Sequence, residues 1–275
     1  MKIGSLPHIR IASRPRSGEG GCMATLTVAI PKLRESVVAV LRLRLTRPER
    51  FKKGKGKVRP AQFEAGWGSA FCVILDKYVV TAAHVLTGSV GSTRDPAAKF
   101  YALVVPGNGD PFFTFPVVSF PVERPDLDVA VLELGPCSNA AVHLPAVPVT
   151  FAPQPDGAPV LTMGFPAPEI QGLNADAQGN FLGGQFFLKS HANEGIVAAQ
   201  YRLSGNLEVY ELNVGWHHGE SGGPIATFAD QPVAFSLMQQ YRKVQTPDGV
   251  VMGPRRGVAL SQIKKELNAL GVIGV

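Results

Sequence analysis

Charge is scarce in this chain, and most of what it has is crowded into one place. Only 17% of its 275 residues are charged, against 45% that are hydrophobic. A chain of that balance buries a core and is not disordered throughout. Cysteine is scarcer still. Cys22, Cys72 and Cys137 are far apart and odd in number, so they do not make a disulfide framework or a thiolate metal cluster, and they lean towards a reducing compartment. Cys72 falls inside an apolar strand pattern, where a small buried residue is expected. No apolar run is long enough to span a bilayer. The first 21 residues are basic and rich in Gly, Ser and Pro, and they lack the apolar stretch of a secretory signal. A cytoplasmic location with no membrane attachment is therefore expected, and residues 1–32 are expected to be a disordered extension.

What the chain does have is punctuation. Thirty glycines and 23 prolines suit many short strands joined by turns, in one large all-β domain or two small lobes. The basic charge is local. From Arg42 to Arg59 stand nine basic residues and one acid, Glu49, an excess larger than the net charge of +6 for the whole chain. A solvated loop is the expectation there, and a nucleic-acid partner is not. The strand patterns begin with Leu33–Leu45 and end with a short helix that Ser261 would cap. Gly135–Pro159, rich in proline and small residues, reads as a linker between two halves, 33–135 and 159–275. Gly172–Gly184 reads as a polar, glycine-rich loop.

One segment makes a chemical demand. In Gly219-Glu220-Ser221-Gly222-Gly223-Pro224, small neighbours expose one hydroxyl. They also free the backbone N–H groups of Gly219 and Ser221 to meet a developing oxyanion. A serine hydroxyl is a poor nucleophile until a base takes its proton, so a histidine and an orienting carboxylate should stand elsewhere. His84 follows the strand Tyr78–Thr81 and two alanines, with room for its ring to face a cleft. Asp128 stands at the mouth of the apolar run Val129–Leu132, with Asp126 a competing candidate.

Taken together, Val79-Val80-Thr81-Ala82-Ala83-His84, Asp128-Val129-Ala130-Val131-Leu132 and Gly219–Pro224, with Gly68-Ser69-Ala70-Phe71 ahead of the histidine, resemble the trypsin-like serine peptidases. The resemblance implies an all-β fold of two packed six-stranded antiparallel Greek-key barrels with a short C-terminal helix. It also implies a Ser221–His84–Asp128 triad in the cleft, an oxyanion hole from Gly219 and Ser221, and a polypeptide substrate. No cofactor is implied.

The departures from the family pattern carry information. Val85 stands where secreted members have a cysteine, and Glu220 replaces the aspartate that pairs with a newly cut terminus. Zymogen cleavage is thus not the expected control. The chain looks closer to the HtrA-type branch, which leaves room for an activating protein partner or a latent, peptide-binding role. Gly215, followed by Trp216, stands where the family places the base of the specificity pocket and supplies no acid, so the resemblance implies an apolar or small side chain before the cleaved bond. Ser236, Leu237 and Met238 are expected to line the substrate backbone by strand addition. His217 and His218, with His191, invite a metal reading. It is set aside because zinc sites usually add a carboxylate or thiolate at regular spacing.

Overall fold

The computed structural model describes residues 25–48, 50–51, 58–59, 61–106, 111–166, 168–203, 207–215, 217–239, 243–246, 249–252 and 255–275. The chain enters through helix α1 (Leu26–Glu35). Expected disorder across 1–32 is corrected here for its last residues. Ala29 and Leu33, four apart on one helix face, are buried, and Arg34 Nε donates to Ser190 Oγ at 3.0 Å. Pro31 inside the helix is a breaker by sequence, and it hid α1.

Six strands then close the first barrel: β1 (Val37–Arg47), β4 (Gln62–Ile74), β5 (Tyr78–Thr81), β6 (Lys99–Val104), β7 (Phe113–Arg124) and β8 (Val129–Leu134). Their hydrogen-bonded order is β1-β4-β5-β8-β7-β6, antiparallel throughout. The two-residue strands β2 (Arg50–Phe51) and β3 (Val58–Arg59) pair with each other outside it. A five-residue helix, α2 (Ala83–Thr87), follows β5 and ends at Gly88, whose φ of 85° gives it a left-handed cap. Among the described residues of the 42–59 cluster, Arg42 and Arg44 have side-chain partners. Arg42 lies against Gly66 and Gly88 and pairs with Glu64 at 3.4 Å, while Arg44 Nε meets Asp95 at 2.8 Å. Residues 52–57 of that loop lie outside the described residues.

A linker without a full strand leads to the second barrel. Its strands are β9 (Pro159–Gly164), β12 (His191–Arg202), β13 (Glu208–Asn213), β14 (Pro224–Thr227), β15 (Ala234–Met238) and β18 (Arg255–Ala259), closed in the order β12-β13-β18-β15-β14-β9. The stretch expected to be a polar loop is corrected: β10 (Glu169–Ala175) and β11 (Phe181–Phe187) form a hairpin. Its aromatic side chains reach across to the first barrel. Phe181 N donates to the Tyr101 hydroxyl at 2.9 Å, and the Phe186 ring packs edge-on to Trp67 at 5.3 Å. Phe181 and Phe186, set among glycines, were the available signal for a packed hairpin. A second small hairpin, β16 (Lys243–Thr246) with β17 (Gly249–Met252), precedes β18.

The chain closes with a 3-10 turn (Leu260–Ile263) and helix α3 (Lys264–Ala269), stopped at Gly271 with φ 91°. Ser261 does not cap the helix; its hydroxyl donates to Glu208 Oε2 at 2.9 Å. The two barrels share one apolar core, which runs from Val38, Leu41 and Phe71 into Leu161, Met163 and Phe165. That shared core fixes the seam in which the candidate site sits. Because Leu33 anchors α1 in it at 1% exposure, Leu33→Ala should cost about 2–5 kcal/mol. The measurement is the midpoint of chemical denaturation.

Candidate active site

His84 lies in the first turn of α2, 6% exposed, and Asp128 is 7% exposed in the turn before β8. The aspartate grips the histidine twice. Its Oδ1 accepts the His84 backbone N–H and its Oδ2 lies on Nδ1, both at 2.8 Å. An ionised carboxylate only accepts, so Nδ1 carries the proton and the neutral ring keeps Nε2 as a base. Asp128 has φ 55°, a left-handed backbone that aspartate tolerates better than most residues. The turn is held because Ala83 N donates to Asp128 O at 3.2 Å. The rival, Asp126, is used elsewhere. Arg124 binds it with both arms at 3.0 and 2.8 Å and also reaches Glu266 at 2.9 Å. That pair holds the Asp126 carboxyl below its ordinary pKa.

Ser221 arrives from the second barrel, and one residue of the first barrel receives it. Ser69, on β4, is fully buried. Its N–H donates to Ser221 O at 2.8 Å, its hydroxyl donates to Gly219 O at 2.8 Å and accepts from Phe165 N at 2.8 Å, and its carbonyl accepts from Thr81 Oγ1 at 2.7 Å. Thr81 stands three residues before His84, so the histidine and serine segments are tied to the same residue. Gly222 shows how close the seam is. With φ 87°, a Cβ added there would meet Ser69 O at 2.2 Å, Thr81 Oγ1 at 2.3 Å and Ala82 N at 2.8 Å. Only glycine fits. The described residues show no direct hydrogen bond between Ser221 Oγ and the His84 ring. The two segments are joined through backbone, and such contacts are often long before a substrate binds.

The turn His217–Glu220 precedes the serine and is closed by Glu220 N donating to His217 O at 3.2 Å. Gly219 is its third residue, with φ 101°, the sign of a type II turn. Among the described residues, neither the Gly219 nor the Ser221 N–H has an acceptor. Two unpaired donors on either side of Glu220, one of them on the half-buried Ser221 itself, are what an oxyanion requires. Glu220 itself is wholly buried, and burial raises its pKa above the ordinary carboxylate value.

The remaining expected residues fall as follows. Gly215 is exposed at the rim, and a Cβ there would have only Asn193 Oδ1 nearby, at 3.9 Å. Trp216 lies outside the described residues. Ser236, Leu237 and Met238 are fully buried, with β14 on one side of their strand and β18 on the other. That strand therefore has no free edge at those positions for a substrate to join. At its exit Gln239 sends Nε2 to Leu127 O at 2.9 Å, a link from the second barrel to the turn that carries Asp128. Neither Ser69 nor Gln239 was singled out by sequence as an anchor of the site, because a backbone partner 112 or 150 residues away leaves no local pattern.

Burial lowers the His191 pKa, with a smaller contribution from neighbouring His217. The described residues contain no group of three His, Cys, Asp or Glu side chains placed to hold a metal. Cys72 is buried and its thiol is pushed up to about 12, which makes it inert. A cavity of about 460 Å³ opens between Phe112 and Phe186, but its lining includes none of His84, Asp128 and Ser221. No helix among the described residues is long and apolar enough to cross a membrane.

A family model, the trypsin-like peptidase domain, matches residues 68–234, which contain His84, Asp128 and Ser221. The chain belongs to the trypsin-like peptidase family. Among solved structures it is similar to the HtrA-type protease AlgW with a decapeptide: TM-score 0.58, 15% identity, covering 90% of this chain and 66% of that one. AlgW with a tripeptide gives 0.56 and 16%, over 90% of this chain and 65% of that one. This chain thus spans just under two thirds of those proteases, and at such identity the likeness is one of fold. No curated protein matches it by sequence.

Ser69→Ala should leave the Gly219 carbonyl and the Phe165 N–H without their partners. The expected loss is roughly 1–3 kcal/mol for each buried group, read by equilibrium denaturation.

Proposed function

We propose that this trypsin-like peptidase family member is a serine endopeptidase that works through Ser221, His84 and Asp128 and an acyl-enzyme intermediate. The observation that carries the reading is the double grip of Asp128 on His84. It orients the ring, sets its tautomer and leaves Nε2 as the base. Ser221 attacks the scissile carbonyl while His84 Nε2 takes its proton. The Gly219 and Ser221 N–H groups receive the oxyanion, and His84 then protonates the leaving amine. Water repeats the sequence on the ester and releases the acid. Asp128 stabilises the imidazolium throughout and is not itself protonated. The substrate is a polypeptide, which agrees with the peptides bound to the AlgW structures. Gly215 brings no charge to the specificity pocket, so the residue before the cleaved bond is apolar or small.

A second reading has its own observation. The described residues contain no Ser221–His84 hydrogen bond, which suits a latent protein that binds peptide or a protein activator on the same scaffold before it cleaves.

A fluorophosphonate probe should label the wild type at Ser221 and leave Ser221→Ala unlabelled. A wild type that stays unlabelled and cleaves no peptide, with or without added peptide ligands, contradicts a competent nucleophile. Asp128→Asn should lower kcat by about 10⁴-fold through the wrong tautomer, and Asp126→Asn should leave kcat within about threefold, since exposed pairs matter little. Steady-state kinetics on one peptide separates them. Peptide-library profiling should show cleavage after apolar or small residues; a profile dominated by Arg or Lys overturns the assignment at Gly215.

A further inference from the structure

The strand expected to receive a substrate, Ser236–Met238, has both edges taken. A second strand near the seam does not. β10 and β11 form a two-stranded sheet, so β11 has β10 on one side and, among the described residues, no strand on the other. An open strand edge is a template for further pairing. This one also carries exposed apolar surface: Leu182 is 69% exposed and Phe187 61%. Two such side chains on one strand, beside a cavity, go beyond the scattered exposure that is ordinary on a protein surface.

The cavity of about 460 Å³ lies along this strand, within the size range of ligand sites. Four consecutive residues of β11, Gly184 to Phe187, line it, so the strand offers the space its backbone as well as its side chains. Phe112, just ahead of β7, meets Phe186 edge to face with ring centroids 5.2 Å apart. Gln171 of β10 and Gln185 of β11 bring carboxamides, each able to donate and to accept. Gly184 keeps this wall in place, because a Cβ there would meet Phe186 Cζ at 2.5 Å and Gly172 O at 2.6 Å. No charged residue is among those that line the space. A charged side chain entering it would lose water and gain no partner.

We propose that β11 and this cavity form an accessory site for the polypeptide substrate: an extended segment of it pairs with the open edge of β11 and lodges a large apolar or aromatic side chain against Phe112 and Phe186. Strand addition of this kind takes its affinity from backbone bonds and its selectivity from the pocket beside them. The site is separate from the cleft but within reach of it. Phe186 packs on Trp67 at 5.3 Å, Trp67 stands two residues before Ser69 on β4, and Ser69 N donates to Ser221 O. At about 3.3 Å per extended residue that path is on the order of 15 Å, which roughly five residues of substrate span.

Charge decides what flanks the lodged side chain. A Cβ on Gly179, at the hairpin tip, would meet Leu45 Cβ at 3.6 Å and Phe63 at 3.9 Å, so the tip lies at the root of the basic stretch. Arg47, two residues past Leu45, is exposed. Acidic residues in the bound segment are complementary to that field, and lysine or arginine is not. The inference rests on the peptidase reading for the identity of the occupant, while the site's geometry stands without it.

The test compares peptides that share one cleaved bond. A short peptide ends near that bond. Longer ones add an extended arm, on either side, with a single Phe between aspartates. For wild type one longer peptide should have a KM at least about tenfold below that of the short one, with kcat within about threefold. Replacing the arm's Phe by Ser should remove the gain. The ratio of kcat/KM, long to short, should fall to about one in Phe112→Ala and in Phe187→Ser. The second variant changes an exposed side chain, so a fault in folding would not account for it. Binding of the arm alone, as a separate peptide, is read by calorimetry on Ser221→Ala and should weaken at least about tenfold when Phe187→Ser is added. Lysines in place of the aspartates should weaken it as well. The proposal is overturned if no arm lowers KM, if neither variant changes the ratio, or if the lysine peptide binds as tightly as the aspartate one. A wild type that cleaves no peptide would defeat the peptidase reading instead, and calorimetry would still decide the site.

Discussion

Everything at the cleft hangs on Ser69. Each of its polar atoms is used, and three of the four bonds cross from the first barrel to the second: to the Ser221 carbonyl, to the Gly219 carbonyl and from the Phe165 N–H. The fourth ties it to Thr81, beside the histidine segment. A fully buried serine with satisfied partners is stable, and the same residue with a partner missing is costly. The seam is therefore close to all-or-none, and register across it is set by hydrogen bonds that only one arrangement can make. Gly222 and Gly164 are the clearances that let the backbones approach to this distance.

A division of labour follows from that arrangement. On the proposed mechanism the first barrel supplies the base: α2 and the left-handed turn at Asp128 hold the imidazole in position. On the same proposal the second barrel supplies the oxyanion turn, where Gly219 stands at φ 101° and the buried Glu220 accepts the His217 N–H. Both halves carry features that reduce stability, a positive φ on a non-glycine residue and a desolvated carboxylate. Such costs collect where geometry serves chemistry rather than folding. The apolar core common to both barrels, from Val38 through Phe71 to Met163, offsets them.

An all-β fold was legible in the sequence because turn punctuation and period-two patterns survive in strands such as Leu41–Leu45, while the two six-stranded barrels were implied by the resemblance carried by the His84, Asp128 and Ser221 motifs. Asp128 could be preferred over Asp126 on one local fact, the apolar run starting directly after it, and the structure finds Asp126 engaged with Arg124. What was not legible depended on distance or on mixed signals. Helix α1 was masked by Pro31. The β10–β11 hairpin was masked by its glycines, although Phe181 and Phe186 were there to be packed. Ser236–Met238 looked like a substrate-facing strand until both its edges were seen to be taken. Ser69 and Gln239 act on residues far along the chain, and no window of sequence displays that.

The central claim is that this seam makes one nucleophilic centre from two barrels. Rapid mixing with an activated ester, followed by mass mapping of the quenched protein, tests it directly. The account predicts a burst of one acyl group per chain, carried on Ser221 and lost in His84→Ala. An acyl group on another residue, or a burst that survives removal of His84, would contradict it.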